Sequence, residues 1–178
     1  MRTGVRQGPE IWLRGPVGTG APVGTDAPAS GGPGHPPSVT RRRFSWVAAH
    51  GGAGASTLAA VYGGHDCGRD WPGAGAPPSV LLVARTHAAG LAAALRALEA
   101  FRRGDAPAGL DLDAVVLVAD APGRLPRPLA QQVKRIEAVI DVYRVPWVAA
   151  WRLGDLTGPP PRETEALARL TGASVRGR

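Results

Sequence analysis

Of the 178 residues, about a quarter are Gly or Pro, while the apolar fraction of 44% is that of a globular protein. The formal charge of +7 comes from twenty arginines and a single lysine, Lys134, against 14 acidic residues, and six of the arginines (Arg2, Arg6, Arg14, Arg41, Arg42 and Arg43) precede the first long apolar run. No basic stripe is interleaved with stacking aromatics, which argues against a nucleic-acid reader, and no segment approaches the ~20 apolar residues of a membrane span.

Residues 1–41 are crowded with Gly, Pro, Ser and Thr. They cannot bury enough surface to offset backbone entropy and read as a disordered N-terminal tail. Glu10-Ile11-Trp12-Leu13-Arg14 interrupts them. Its three consecutive large apolar residues are either a docking element, for a protein partner or for the chain's own domain, or an incidental apolar patch. The tail lacks the continuous apolar run of a signal peptide. Cys67 is the sole cysteine and permits no intrachain disulfide, so the cytoplasm is the expected location.

An α/β domain is expected over residues 42–173, followed by a short basic tail, 174–178. Phe44 to Ala49 is the first apolar run, and Ser56 to Tyr62 reads as a helix after a glycine cluster. Residues 63–78 are rich in Gly and Pro and read as a long loop. Within it, His65-Asp66-Cys67 sets three metal-ligand types side by side. Adjacent residues rarely converge on one ion, and no second Cys or His follows at ligand spacing, so a solvated loop is expected. Val80 to Ala84 is the second run. Leu91, Leu95 and Leu98 recur at helical spacing after Thr86, a candidate N-cap, and Gly104 and Pro107 end that helix. Ala114 to Ala119 is the third run. Leu129, Val133 and Ile136 mark a helix whose start is set by Pro126 and Pro128. Val142 to Val148 reads as a fourth strand, and residues 162–171 as a last helix carrying Leu167 and Leu170. The alternation, with continuous apolar runs for the strands, predicts a three-layer α/β fold: a parallel sheet of about four to five strands with helices on both faces.

His50-Gly51-Gly52-Ala53-Gly54-Ala55-Ser56-Thr57-Leu58 lies between the first strand and the first helix. The amides of such a turn, with the helix N-terminus, form a site for an anion. Its glycines let the backbone come close to a phosphate. The stretch resembles the deviant P-loop of the MinD/ParA-like (SIMIBI-class) ATPases, roughly Lys-Gly-Gly-x-Gly-Lys-[Ser/Thr]-Thr. Gly51, Gly52 and Gly54 match the glycines, Ser56 stands where the magnesium-binding hydroxyl belongs, and Thr57 takes the next position. His50 replaces the first lysine and Ala55 the phosphate-binding lysine. Val115 to Gly123, with Asp120-Ala121-Pro122-Gly123, resembles that family's Walker B strand and its Asp-x-Pro-x-Gly turn in shortened form. The likeness covers about residues 44–150 and implies a P-loop NTPase-like fold. The chain also resembles an uncharacterised actinobacterial family of short proteins with the same lysine-free loop.

A methyl group cannot replace the charge-assisted contact that the lysine makes with the β- and γ-phosphates. The leading expectation is therefore a degenerate P-loop domain that does not hydrolyse nucleotide, has no cofactor, and acts as a scaffold or protein-partner-binding module. The alternative is a nucleotide-binding ATPase taking ATP with magnesium. In that reading Gly51, Gly52, Ala53, Gly54, Ala55, Ser56 and Thr57 cradle the phosphates, and Ser56 and Asp120 hold the metal. Asp120 is the catalytic candidate, and Arg85, Arg124 or Arg127 replaces the lysine. A third reading is a glycine turn that only packs a helix on the sheet, with Asp120 satisfying nearby amides. Gly52-Ala53-Gly54 also begins a dinucleotide fingerprint, but Thr57 occupies its third glycine position and Ala84-Arg85 stands where a carboxylate is expected. Trp147 either lines a site or, with Trp151, completes the core at the sheet's edge.

Overall fold

The computed structural model describes residues 43–173, so the N-terminal tail, its Ile11-Trp12-Leu13 island and the basic tail lie outside the described residues. In chain order the elements are β1 (Ser45–Ala48), α1 (Ala55–Tyr62), β2 (His65–Asp66), β3 (Ser79–Arg85), α2 (Ala88–Arg103), β4 (Asp111–Val118), α3 (Arg127–Glu137), β5 (Val142–Val145), α4 (Ala149–Arg152) and α5 (Glu165–Thr171), the last preceded by a 3-10 turn at Arg162–Thr164. Every strand pairing is parallel, in the order β2-β1-β3-β4-β5.

Side chains of a strand alternate between faces, and in β3 both faces are buried. Leu81 and Val83 join one apolar cluster; Val80, Leu82 and Ala84 join the other. Leu58 and Tyr62 of α1 and Leu167 of α5 cover the first face. Leu91 and Leu98 of α2, with Val133 and Ile136 of α3, cover the second. The result is a three-layer α/β fold with a five-stranded parallel sheet. From β1 the chain steps to β2 in one direction, whereas β3, β4 and β5 follow in the other. Right-handed crossovers then place α1 on one face and α2 and α3 on the opposite face. The directions part between β1 and β3, and at such a switch point the loops leaving the strand ends diverge and open a crevice.

Trp46 is fully buried in β1, and its indole N–H donates to the Gly63 carbonyl at 2.6 Å. That bond ties the end of α1 to the sheet. Phe44 meets Trp46 edge to face at 5.3 Å and covers Gly64, where a Cβ would stand 2.4 Å from the Phe44 ring. Gly64 also has φ +92, so the turn into β2 requires glycine on two counts.

Three local expectations are corrected. The stretch 63–78 contains β2, a two-residue edge strand in which His65 and Asp66 pair with Ser45 and Trp46. The last strand stops at Val145 rather than Val148, because Pro146 has no N–H for the ladder, and the chain turns into α4. The N-cap of α2 is His87, not Thr86: the His87 ring accepts from the Gly90 N–H at 3.0 Å. Thr86 Oγ1 instead accepts the Asp120 N–H at 3.1 Å. Among the described residues no helix is long and apolar enough to cross a membrane.

Candidate functional site

The loop leaves β1 at the switch point, pinned by the Ala49 N–H to the Val83 carbonyl at 2.8 Å. Gly54, at φ +107, caps α1 without a side-chain hydrogen bond, and no acid lies in the first turn. The Leu58 N–H bonds the Gly54 carbonyl at 3.0 Å, which closes the first helical turn. The amides of Ala55, Ser56 and Thr57 thus have no partner within the helix and carry the positive end of its dipole. Ser56 is exposed and Thr57 half-buried. Ala55, by contrast, is 3% exposed and packs with Ala53 into the core beneath α1. The residue that the P-loop resemblance sets against the lysine, Ala55, therefore belongs to the core.

The loop surrounds an open hollow of about 590 Å³ whose other walls include Gly68, Arg69, Arg85, Trp151 and Arg152. Among the described residues, none of those lining it is acidic. Arg85, the last residue of β3, crosses the loop: its Nε donates to the Gly52 carbonyl at 2.9 Å and its Nη1 to the Ala119 carbonyl at 3.3 Å. Burial, then the positive charge of Arg152, push the Arg85 guanidinium below the usual arginine value, and Asp120 opposes them. Arg152 comes from α4 and lies over the Trp147 ring, 4.4 Å from its centroid. Arg69 arrives on the connection from β2 to β3, held beside β1 by the Ala48 N–H to the Gly68 carbonyl at 2.6 Å. Trp151 packs on the α1 side of the core, as the core reading expects, and also lines the hollow.

His50 braces the loop against β3. Its Nε2 accepts the Arg85 backbone N–H at 3.0 Å, which leaves Nδ1 as the protonated nitrogen, donating to the Gly51 carbonyl at 2.9 Å. The His87 ring lies edge to face against it at 5.0 Å. Gly90 makes room for this arrangement: a Cβ there would stand 2.4 Å from the Arg85 carbonyl oxygen and 2.9 Å from His50 Nε2.

Asp120 follows β4, and β3 lies between β4 and the loop strand β1. It consequently lines a different cavity, of about 430 Å³, with Thr86, His87, Arg124, Leu125 and Leu129 among its neighbours. Ser56 lines the loop hollow, so the structure does not bring these two magnesium candidates into one hollow. Asp120 faces Arg152, with Nη2 3.9 Å from its Oδ1 and 3.4 Å from its carbonyl oxygen. Of the three arginines suggested by sequence, Arg85 alone meets the loop. Arg124 lines the Asp120 cavity, and Arg127 is exposed at the start of α3. Arg69 and Arg152 were missed. In the 63–78 stretch, Asp66 accepts the Gly68 N–H at 2.9 Å, and Cys67 is a free thiol. Among the described residues no three His, Cys, Asp or Glu side chains are grouped to hold a metal ion.

Residues 44–173 match a family described as a family of unknown function (DUF6668), and the chain belongs to that family. No curated protein and no solved structure matches the chain.

Proposed function

We propose that the chain is a degenerate, MinD/ParA-like P-loop domain that holds the phosphate part of a ligand, a nucleotide in the first instance, and does not hydrolyse it. The observation that carries this reading is the acid-free hollow in which Arg69, Arg85 and Arg152 face the glycine loop and the uncapped start of α1. Backbone amides and arginine forks are the groups that recognise phosphate oxygens, and the hollow has the size of a small-molecule site. Two features argue against turnover. Ala55 lies in the core where a phosphate-binding side chain is needed, and Ser56 and Asp120 line separate hollows. The bound form acts through a protein partner, for which Ile11-Trp12-Leu13 is the candidate docking element. We place this activity in the cytoplasm, where a lone free thiol such as Cys67 stays reduced.

A calorimetric titration with ATP, ADP and GTP, paired with a phosphate-release assay, tests this. Binding without release is expected. Absence of heat at millimolar nucleotide would leave the loop as scaffold, and release abolished by Ser56→Ala would establish the ATPase alternative.

A further inference from the structure

From the charge layout of the hollow we infer that the arginines supply the counter-charge that a magnesium ion would otherwise bring, and that Asp120 is the resting partner of Arg152 rather than a metal-supporting carboxylate. The inference rests on the proposed phosphate site and names how that site works.

Arg85 feels the charges of Arg152 and Asp120, and Arg152 stands 3.9 Å from the Asp120 carboxylate. Two guanidiniums share one carboxylate, and the half-buried Arg85 is held partly out of water. Arg69 adds a third cation to the lining of the hollow. Such a cluster is under-neutralised, and a phosphate group carrying two negative charges is the complement it lacks. The contact between Arg152 and Asp120 is loose, at 3.9 Å to Oδ1, and both side chains are well exposed, 37% and 43%. Breaking it is therefore cheap, since exposed pairs of this kind contribute little to stability. Arg152 can leave Asp120 and turn into the hollow it already lines, moving its guanidinium off the Trp147 ring. The Asp120 carboxylate then faces its own cavity, apart from the phosphate.

This arrangement reverses the sign of a standard mutation. Were Asp120 a magnesium residue, Asp120→Asn would abolish binding. As the competitor for Arg152, its neutralisation leaves the guanidinium only its 3.4 Å contact with the Asp120 carbonyl oxygen and tightens binding by up to about fivefold, the fold-change that corresponds to an exposed pair. The Asp120 backbone N–H to Thr86 Oγ1 survives this change, so the turn keeps its anchor.

The test titrates the full chain with inorganic pyrophosphate and, separately, with ATP, each in EDTA and in excess magnesium. Wild type, Asp120→Asn, Asp120→Ala and Arg152→Gln are compared after thermal melts confirm folding. Binding in EDTA is expected, tightened by both Asp120 variants and weakened about tenfold by Arg152→Gln, as for a lost charge-assisted contact. Pyrophosphate binding as tightly as ATP would assign the recognition to the phosphates alone; a clear preference for ATP would add its nucleoside to the same arginine site. Binding that needs magnesium and disappears in Asp120→Asn would overturn the inference while leaving the phosphate-site reading intact. Unchanged or weakened binding in the Asp120 variants in EDTA would overturn the role given to Asp120. No binding of either probe would overturn both readings.

Discussion

Gly90→Ala isolates the contact on which the shape of the switch point depends. In the interior of a helix the exchange normally stabilises, by about 0.5–1 kcal/mol. At Gly90 the new methyl would lie 2.4 Å from the Arg85 carbonyl oxygen, 3.2 Å from its carbonyl carbon and 2.9 Å from His50 Nε2. The first two are backbone atoms of a central strand and cannot rotate away, so the start of α2 has to withdraw by ~1 Å to reach ordinary contact distance. That withdrawal strains packing, at about 1–3 kcal/mol. It also stretches the 3.0 Å bond from the Gly90 N–H to His87, whose complete loss would cost about 0.5–2 kcal/mol more. Against the propensity gain, a net loss of about 2 kcal/mol is expected. In urea titrations this lowers the midpoint with the slope unchanged, and in thermal melts it lowers Tm by roughly 4–8 °C. A variant as stable as wild type, or more stable, would refute the close approach of α2 to the loop brace.

Three further outcomes follow from the same geometry. Ala55→Lys, which writes the missing lysine back into the loop, forces a long charged chain into a core position and lowers stability by about 2 kcal/mol or more without conferring ATP hydrolysis; melts and a phosphate-release assay check both halves. Burial raises the Tyr62 phenol above its ordinary value of 10.0, with its bond to Thr164 opposing. Its contribution is intact below the unfolded pKa and is lost as pH rises through the folded one, so stability falls above about pH 10. Tyr62→Phe removes that alkaline loss in pH-dependent denaturation while costing about 1 kcal/mol at neutral pH for the bond to Thr164. Arg85→Lys keeps the charge but cannot span the Gly52 and Ala119 carbonyls with one planar fork, and nucleotide binding should weaken about tenfold by calorimetry.

The layers of the fold were legible because Val80 to Ala84 in β3 and Ala114 to Val118 in β4 are unbroken apolar runs, as expected of strands covered on both faces. The two-residue β2 was not. His65 and Asp66 carry no apolar signal, and their strand character comes wholly from pairing with β1. The end of β5 was misplaced because Trp147 and Val148 favour extended chain, whereas Pro146 withholds the N–H the ladder needs. The same division holds at the site. The glycine loop and Arg85 could be read locally, since the ends of β1 and β3 are neighbours wherever the order reverses between them. Arg69 and Arg152 join them only through tertiary connections, one by the return of the chain from β2 and the other by the turn into α4. Asp120 was linked to Ser56 by motif order along the chain, and the insertion of β3 between their strands is invisible to motif order.

The most direct test of a phosphate site at this loop is a two-dimensional amide NMR titration of the domain with ADP. The account predicts that the Gly54, Ala55, Ser56 and Thr57 amide resonances shift in a saturable manner, together with the Arg85 Nε–H. Saturable shifts confined to the neighbourhood of Leu125 and Leu129, or none at millimolar ADP, would contradict it.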